Sequence, residues 1–297
     1  MTRRLNTVLA VFVLVVGFPL YWYFINAGTG HASPRPLSIE TLRKLATAIE
    51  GPAPSAVRYE AIAHRDVSGN RLVAGTGLRS RRYTVRAYQL AVPGAAPIQI
   101  DAGIAPGQAV AGAFKDFDSQ AQQRVERALA KAGHIALLGE TPSHVGALSW
   151  QDDPRVFRPD GQPRAIAPGV VSIPLQGMPG KQQMIYARLK NGREYLFTGD
   201  IAISDRAWRE LRPPARYETD FVTGVDRETI ASWLMTINAL HRQAPDMTVV
   251  PGQQPGNLKK QFQLHRGFPK PLQSRLQNAG QATGHEPRDN VLGRQKS

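Results

Sequence analysis

Residues Ala136–Leu148 read ALLGETPSHVGAL, and the architecture of the chain turns on how they are parsed. The stretch opens inside a short apolar run, His134–Leu138, which directly follows Gly133 and reads as a buried strand. Upstream, Asp118 to Lys131 carries Ala121, Val125, Ala128 and Leu129 on one side and meets Gly133 as its stop, so it reads as a helix. Further upstream, Val57, Tyr59, Ala61 and Ala63 alternate, as do Tyr83, Val85, Ala87 and Gln89, and Pro97–Asp101 makes a short strand closing on Ala102-Gly103. Downstream, strands are expected at Val170–Pro174, Met184–Leu189, Tyr195–Phe197 and Thr248–Val250. Asp226 caps a helix whose Ile230, Trp233, Leu234, Ile237 and Leu240 form one apolar stripe. Ser38 caps a shorter helix with Leu42, Leu45 and Ile49 on one face, ended by Gly51-Pro52. Strand meanders first and strand–helix units later imply an α+β or layered α/β/α domain of roughly 200 residues.

The chain has 297 residues, 42% of them hydrophobic and 20% charged, which is the composition of a folded protein. It contains no Cys, which removes disulfides, thiolate zinc sites, iron–sulfur clusters and cysteine nucleophiles. The 37 basic residues outnumber the 23 acidic ones, a net charge of +14, but they are scattered rather than gathered on one face. That distribution disfavours nucleic acid and favours attraction to an anionic membrane surface. Arg79, Arg81 and Arg82 form the densest group, and the tail beyond Pro255 is basic.

No Asp, Glu, Lys or Arg falls between Leu5 and Pro34, and Val8–Ile25 is a continuous apolar run, VLAVFVLVVGFPLYWYFI. At 1.5 Å rise per residue, extension to Leu5 and Ala27 lets it span the ~30 Å hydrocarbon layer. Tyr21, Trp22 and Tyr23 sit where an interfacial aromatic belt belongs, and Arg3 and Arg4 hold the N-terminus in the cytoplasm. The expectation is a retained signal-anchor in the inner membrane with the main domain on the periplasmic side. The alternative is a cleaved signal peptide and a secreted product, with Gly30-His31-Ala32 as a serviceable cleavage site.

Four landmarks, in order, give the segment from Val57 to Gly256 a resemblance to the metallo-β-lactamase superfamily. They are IQIDAG (Ile98–Gly103), ALLGETPSHVGAL (Ala136–Leu148), QGMPGKQQMIYARLKNGREYLFTGD (Gln176–Asp200) and VVPGQQ (Val249–Gln254). The second stands where that family has its His-x-His-x-Asp-His zinc motif, the third where it has a further His and a metal-bridging Asp, the fourth where a Pro-Gly-His turn is usual. The resemblance implies a four-layer αββα sandwich with a pocket at one edge, preceded here by one transmembrane helix. The domains expected are a stub and anchor over 1–27, a linker and short helix over 28–56, the metallo-β-lactamase-like domain over 57–256, and a basic, loosely ordered tail over 257–297.

Laid on that motif, the two leading histidines are replaced by Gly139 and Thr141, and its Asp by Ser143; His144 is kept. The third His falls on Met178, or on Gly177 if a gap is moved, and the last on Gln253, while Asp200 is kept. Gly offers no ligand, Met a soft thioether, and Thr, Ser and Gln only weak neutral oxygens. His144 and Asp200 alone do not hold zinc tightly, so no cofactor is expected. His144 reads as a buried structural histidine hydrogen-bonded to Asp200, and Ser143 lies outside any G-x-S-x-G elbow. The expectation is a binding or scaffold pseudoenzyme with its domain outside the cytoplasm. Its partners would be the membrane and, at the basic tail, a protein or anionic lipid. The alternative is a hydrolase of lactone, thioester, phosphodiester or β-lactam type with an atypical metal set or none.

Overall fold

The computed structural model describes residues 3–146, 148, 153–252 and 265–268. Two sheets form its centre. The first has six strands in the order β11-β1-β2-β3-β4-β5: β1 is Ala56–Ser68, β2 Ser80–Ala91, β3 Ile98–Ile100, β4 His134–Ala136, β5 Val156–Phe157 and β11 His265–Arg266. The second has five in the order β10-β9-β8-β7-β6: β6 is Arg164–Ala167, β7 Val170–Pro174, β8 Gln183–Arg188, β9 Glu194–Phe197 and β10 Thr248–Val250.

Strand periodicity sorts the side chains into layers. On β2, Tyr83, Val85 and Ala87 face the helix Ser119–Lys131, whose Ala121, Val125, Ala128 and Leu129 cover them. Tyr88 and Leu90, of opposite parity, enter the space between the sheets with Val57, Tyr59, Ile100, Ile185 and Phe197. The alternation expected along β1 is broken by an irregularity between Ala61 and Ala63, which sends Ile62 and Ala63 to the helix side. The outer face of the second sheet is covered by Ile39–Ala46 and Arg227–Gln243. Ile230, Trp233, Leu234, Ile237 and Leu240 are all buried there, as their spacing foretells. The result is helix, sheet, sheet, helix: the expected αββα sandwich.

Some boundaries differ from the sequence reading. The short helix ends at Ala46, leaving Ile49 exposed rather than on its apolar face. Residues 28–36, read as a linker, lie along the domain: His31 N–H donates to Glu228 Oε1 at 3.2 Å and Arg35 N–H to Thr236 Oγ1 at 2.8 Å. Residues 265–268, within the tail, add the edge strand β11 parallel to β1, and Phe268 N–H donates to Glu60 Oε1 at 2.8 Å. Glu60 is buried against Arg124, whose two nitrogens contact it at 2.6 and 3.1 Å, so this edge is closed by charge-assisted bonds.

The helix Arg3–Ile25 is long and apolar enough to cross a membrane by length and composition. No side chain in it is buried by the protein.

Candidate functional site

Four strands deliver the site. The pairs β3/β4 and β9/β10 are parallel, so their C-terminal ends emerge at one edge of the sandwich. From β3 comes Asp101, from β4 the turn leading to the short helix Pro142–Val145, and from β9 the turn Thr198-Gly199-Asp200. From β10 comes Pro251-Gly252, whose backbone approaches Gly199 so closely that a Cβ on Gly252 would overlap the Gly199 carbonyl. Gly252 N–H donates to Ala202 O at 3.1 Å and Thr198 Oγ1 donates to the same carbonyl at 3.0 Å, which fixes the loop that carries Asp200.

His144 is the centre. Its ring is held between two carboxylates, with Nδ1 2.8 Å from Asp101 Oδ2 and Nε2 3.1 Å from Asp200 Oδ2. Asp101 and His144 are almost wholly buried, while the Asp200 side chain is 28% exposed. Asp101 uses its other oxygen to accept the Leu138 N–H at 2.8 Å, tying the ends of β3 and β4 together. It does so from a left-handed backbone conformation, φ 60°, which Asp and Asn tolerate better than other side-chain-bearing residues. Burial disfavours a charged ring, but Asp101 and Asp200 outweigh it and raise the His144 pKa well above its ordinary value. Burial also raises the Asp101 carboxyl, against the pull of His144 and the Leu138 amide. Both ring nitrogens thus face carboxyl groups, and the two aspartates favour the protonated ring.

The remaining sequence-assigned positions gather around this pair. Gly139 lies under the ring, and a Cβ there would stand 3.0 Å from His144 Cδ2. Ser143 Oγ is 2.9 Å from Thr141 Oγ1 and 3.3 Å from the Tyr83 hydroxyl, so a short hydroxyl chain takes the polar space beside Asp200. Burial and the Asp200 charge push the Tyr83 phenol far up, keeping it protonated. Both His144 nitrogens point at carboxylates rather than at Ser143, so a serine–histidine nucleophile is not assembled. Thr141, Ser143, Met178 and Asp200 open onto one cavity of about 560 Å³. It is also lined by the apolar Leu72, Phe114, Ile203, Val225 and Ile230, and by Arg65 and Arg71. Arg71 is held by Glu218 through contacts of 3.0 to 3.2 Å, and Arg65 lies over the rings of Tyr83 and Phe114. Gln253 lies outside the described residues.

The zinc implied by the family resemblance asks for three protein ligands around an open position. Here the donor set is one buried imidazole, one carboxylate at the cavity, Asp200, and Asp101 behind the ring on its other nitrogen. Among the described residues no three His, Cys, Asp or Glu side chains converge on a point a metal could occupy. The residues described do not fit a catalytic zinc. Asp101 is the member of the cluster that sequence reasoning did not single out; an Asp-Ala-Gly turn directly after an apolar strand was its signal.

No protein-family model matches the chain, and no curated protein matches it in sequence. Solved structures do match in shape. An N-acyl homoserine lactone lactonase described as quorum-quenching superposes with a TM-score of 0.55 and 13% identity over 71% of this chain and 97% of its own. An N-acyl homoserine lactone hydrolase with N-hexanoyl-L-homoserine at its catalytic metal center gives 0.55 and 12% over 73% and 99%. The B. thuringiensis protein AiiA with N-decanoyl-L-homoserine at its active site gives 0.55 and 13% over 73% and 99%. These are hydrolases of the metallo-β-lactamase fold, and at such identities the shared property is the fold.

Proposed function

We propose that this chain, which has the metallo-β-lactamase fold, is a membrane-anchored, extracytoplasmic binding protein whose ancestral zinc site has been converted into a buried, proton-held ion cluster. The observation that carries this reading is His144 itself. Both its nitrogens are engaged by Asp101 and Asp200, and the positions where further ligands would stand hold Gly139, Thr141, Ser143 and Met178. The cavity beside the cluster combines apolar side chains with the hydroxyl chain, a lining that suits a small amphipathic ligand. Arg65 Nε and Gln108 Oε1, from two residues that line that cavity, are buried without a hydrogen-bond partner among the described residues.

Anchoring is supported by contacts that a cleaved signal peptide would forfeit. Gly75 N–H donates to the Phe24 carbonyl at 2.9 Å, and the Phe24 ring stacks on Tyr217 at 5.2 Å. The test of function is the metal content of the full-length protein purified in detergent. Substoichiometric zinc, unchanged by His144→Ala, is expected. Stoichiometric zinc that disappears in His144→Ala or Asp200→Asn would replace this reading with a hydrolase using an atypical metal set.

A further inference from the structure

The membrane-spanning helix does not end in a free tether. Its last turn is fastened to the domain by two separate segments. The first is the turn after β1: Gly75 N–H donates to the Phe24 carbonyl at 2.9 Å, and Leu78, three residues on, is 73% exposed. The second is the helical turn Glu218–Thr223, preceded by Arg216, which lies over the Trp22 ring at 4.4 Å. Within it Phe221 meets the Tyr23 ring at 5.4 Å, yet Phe221 is 71% exposed and Val222 54%. Tyr21, Trp22 and Tyr23 are the residues that place the helix at the membrane–water interface. Exposed apolar side chains fastened at that level cannot stand far from the bilayer surface.

The charge beside them is mostly positive, with the exposed Asp220 next to Phe221 as the acidic exception. Arg79 and Arg81 follow Leu78 with alternate-residue spacing at the exposed start of β2, and Arg216 stands over Trp22. Arg82, of the opposite parity, is directed to Asp66 across the strand pair and is left out of this set. Apolar tips flanked by arginines match an interfacial layer whose headgroups are anionic.

We infer that the face formed by Leu78, Arg79, Arg81, Phe221 and Val222 docks on the anionic headgroup layer of the membrane that the N-terminal helix spans. The inference rests on the anchored reading proposed above and goes beyond it, because an anchor alone would leave the domain free to tumble. It also bears on the cavity. Glu218, Thr219 and Thr223 line the cavity from the same turn whose Phe221 and Val222 face outward. The cavity wall thus rests on the bilayer, and ligands partitioned into the headgroup layer meet the site first.

The cysteine-free sequence makes the test direct. Single variants Leu78→Cys, Val222→Cys and Asn191→Cys are labelled with an environment-sensitive fluorophore in the full chain. The chain is then reconstituted into phosphatidylcholine vesicles, with or without phosphatidylglycerol, that carry a lipid spin-labelled near its headgroup. Asn191 serves as reference because it lies in the β8–β9 turn, at the end of those strands away from Asp200. Labels at 78 and 222 should shift to the blue and be quenched, more so with phosphatidylglycerol, while the label at 191 stays unquenched. In Arg79→Gln/Arg81→Gln the phosphatidylglycerol-dependent gain should be lost. If the protein floats with the vesicles but 78 and 222 are unquenched, or quenched no more than 191, this inference is overturned and the anchor stands. If quenching at 78 and 222 is the same with and without phosphatidylglycerol, the anionic part of it is overturned. If the protein does not float with the vesicles, the anchored reading falls and takes this one with it.

Discussion

Replacing Asp101 by Asn isolates the electrostatics of the buried cluster. Asn is nearly isosteric and accepts the left-handed φ of 60° found at this position, so backbone strain is not introduced. Its carbonyl can still receive the Leu138 N–H, but the charge opposite His144 Nδ1 is gone. Removing one member of a buried charge pair costs about 3–5 kcal/mol, and a hydrogen bond to a charged group is worth about 1.5–3. Because Asp200 still faces Nε2, the lower end, about 3 kcal/mol, is expected. The cost should depend on pH. The folded-state pKa of His144 lies above its unfolded value of about 6.5, so its contribution is complete below that pH and is lost as pH rises through the folded pKa. The upward shift of Asp101 has the same sign, its own decline beginning above the ordinary carboxylate pKa of about 3.9. Within that window the His144 proton alone makes stability fall by up to about 1.4 kcal/mol per pH unit. The assay is denaturant unfolding of the full chain in detergent, followed by the fluorescence of buried Trp208 and Trp233. Asp101→Asn should flatten the pH dependence above about 6.5 as well as lower the midpoint. A cost below about 1 kcal/mol at pH 6.5, or a pH profile parallel to the parent's, would refute the buried ion cluster.

Leu234 is fully buried between the helix Arg227–Gln243 and the second sheet, so Leu234→Ala should cost about 2–5 kcal/mol in the same unfolding assay. Restoring the family's ligands together, Gly139→His, Thr141→His, Ser143→Asp, Met178→His and Gln253→His, should raise zinc affinity in a calorimetric titration and release protons as His144 gives up its own. Zinc uptake without proton release would show that His144 was not the proton carrier.

The layers were legible because side-chain spacing repeats. The stripe through Leu234 and the alternation of Tyr83, Val85 and Ala87 each place an element on a face, and motif order then brought His144 and Asp200 to one edge. What escaped had no period. The docking of residues 24–35 runs through backbone carbonyls such as those of Phe24 and Asn26, which every residue possesses. The irregularity at Ala61–Ala63 leaves no mark in composition, and β11 pairs with β1 across about two hundred residues of separation. Asp101 was visible as a turn residue but not as a partner of His144, because that contact joins the ends of two strands and is set by their parallel pairing.

On the reading proposed above, the conversion from metal cluster to proton cluster would be one coupled change rather than a set of independent losses. A carboxylate pair around one pocket needs a positive charge between its members. In a zinc site the metal supplies it; here the His144 proton supplies part of it, 2.8 Å from Asp101 and 3.1 Å from Asp200. That arrangement uses the space left by a missing side chain. A Cβ on residue 139 would stand 3.0 Å from the ring, so His144 would have to give by a few tenths of an ångström. Gly139 is therefore more than a lost ligand, since its bare backbone lets the ring settle where both carboxylates reach it. Ser143 and Thr141 complete the exchange by joining Tyr83 in a neutral hydroxyl chain, which fills the polar space beside Asp200 without adding another negative charge. Single reversions at these positions would meet a site already closed around its proton, which is why the five substitutions belong in one variant.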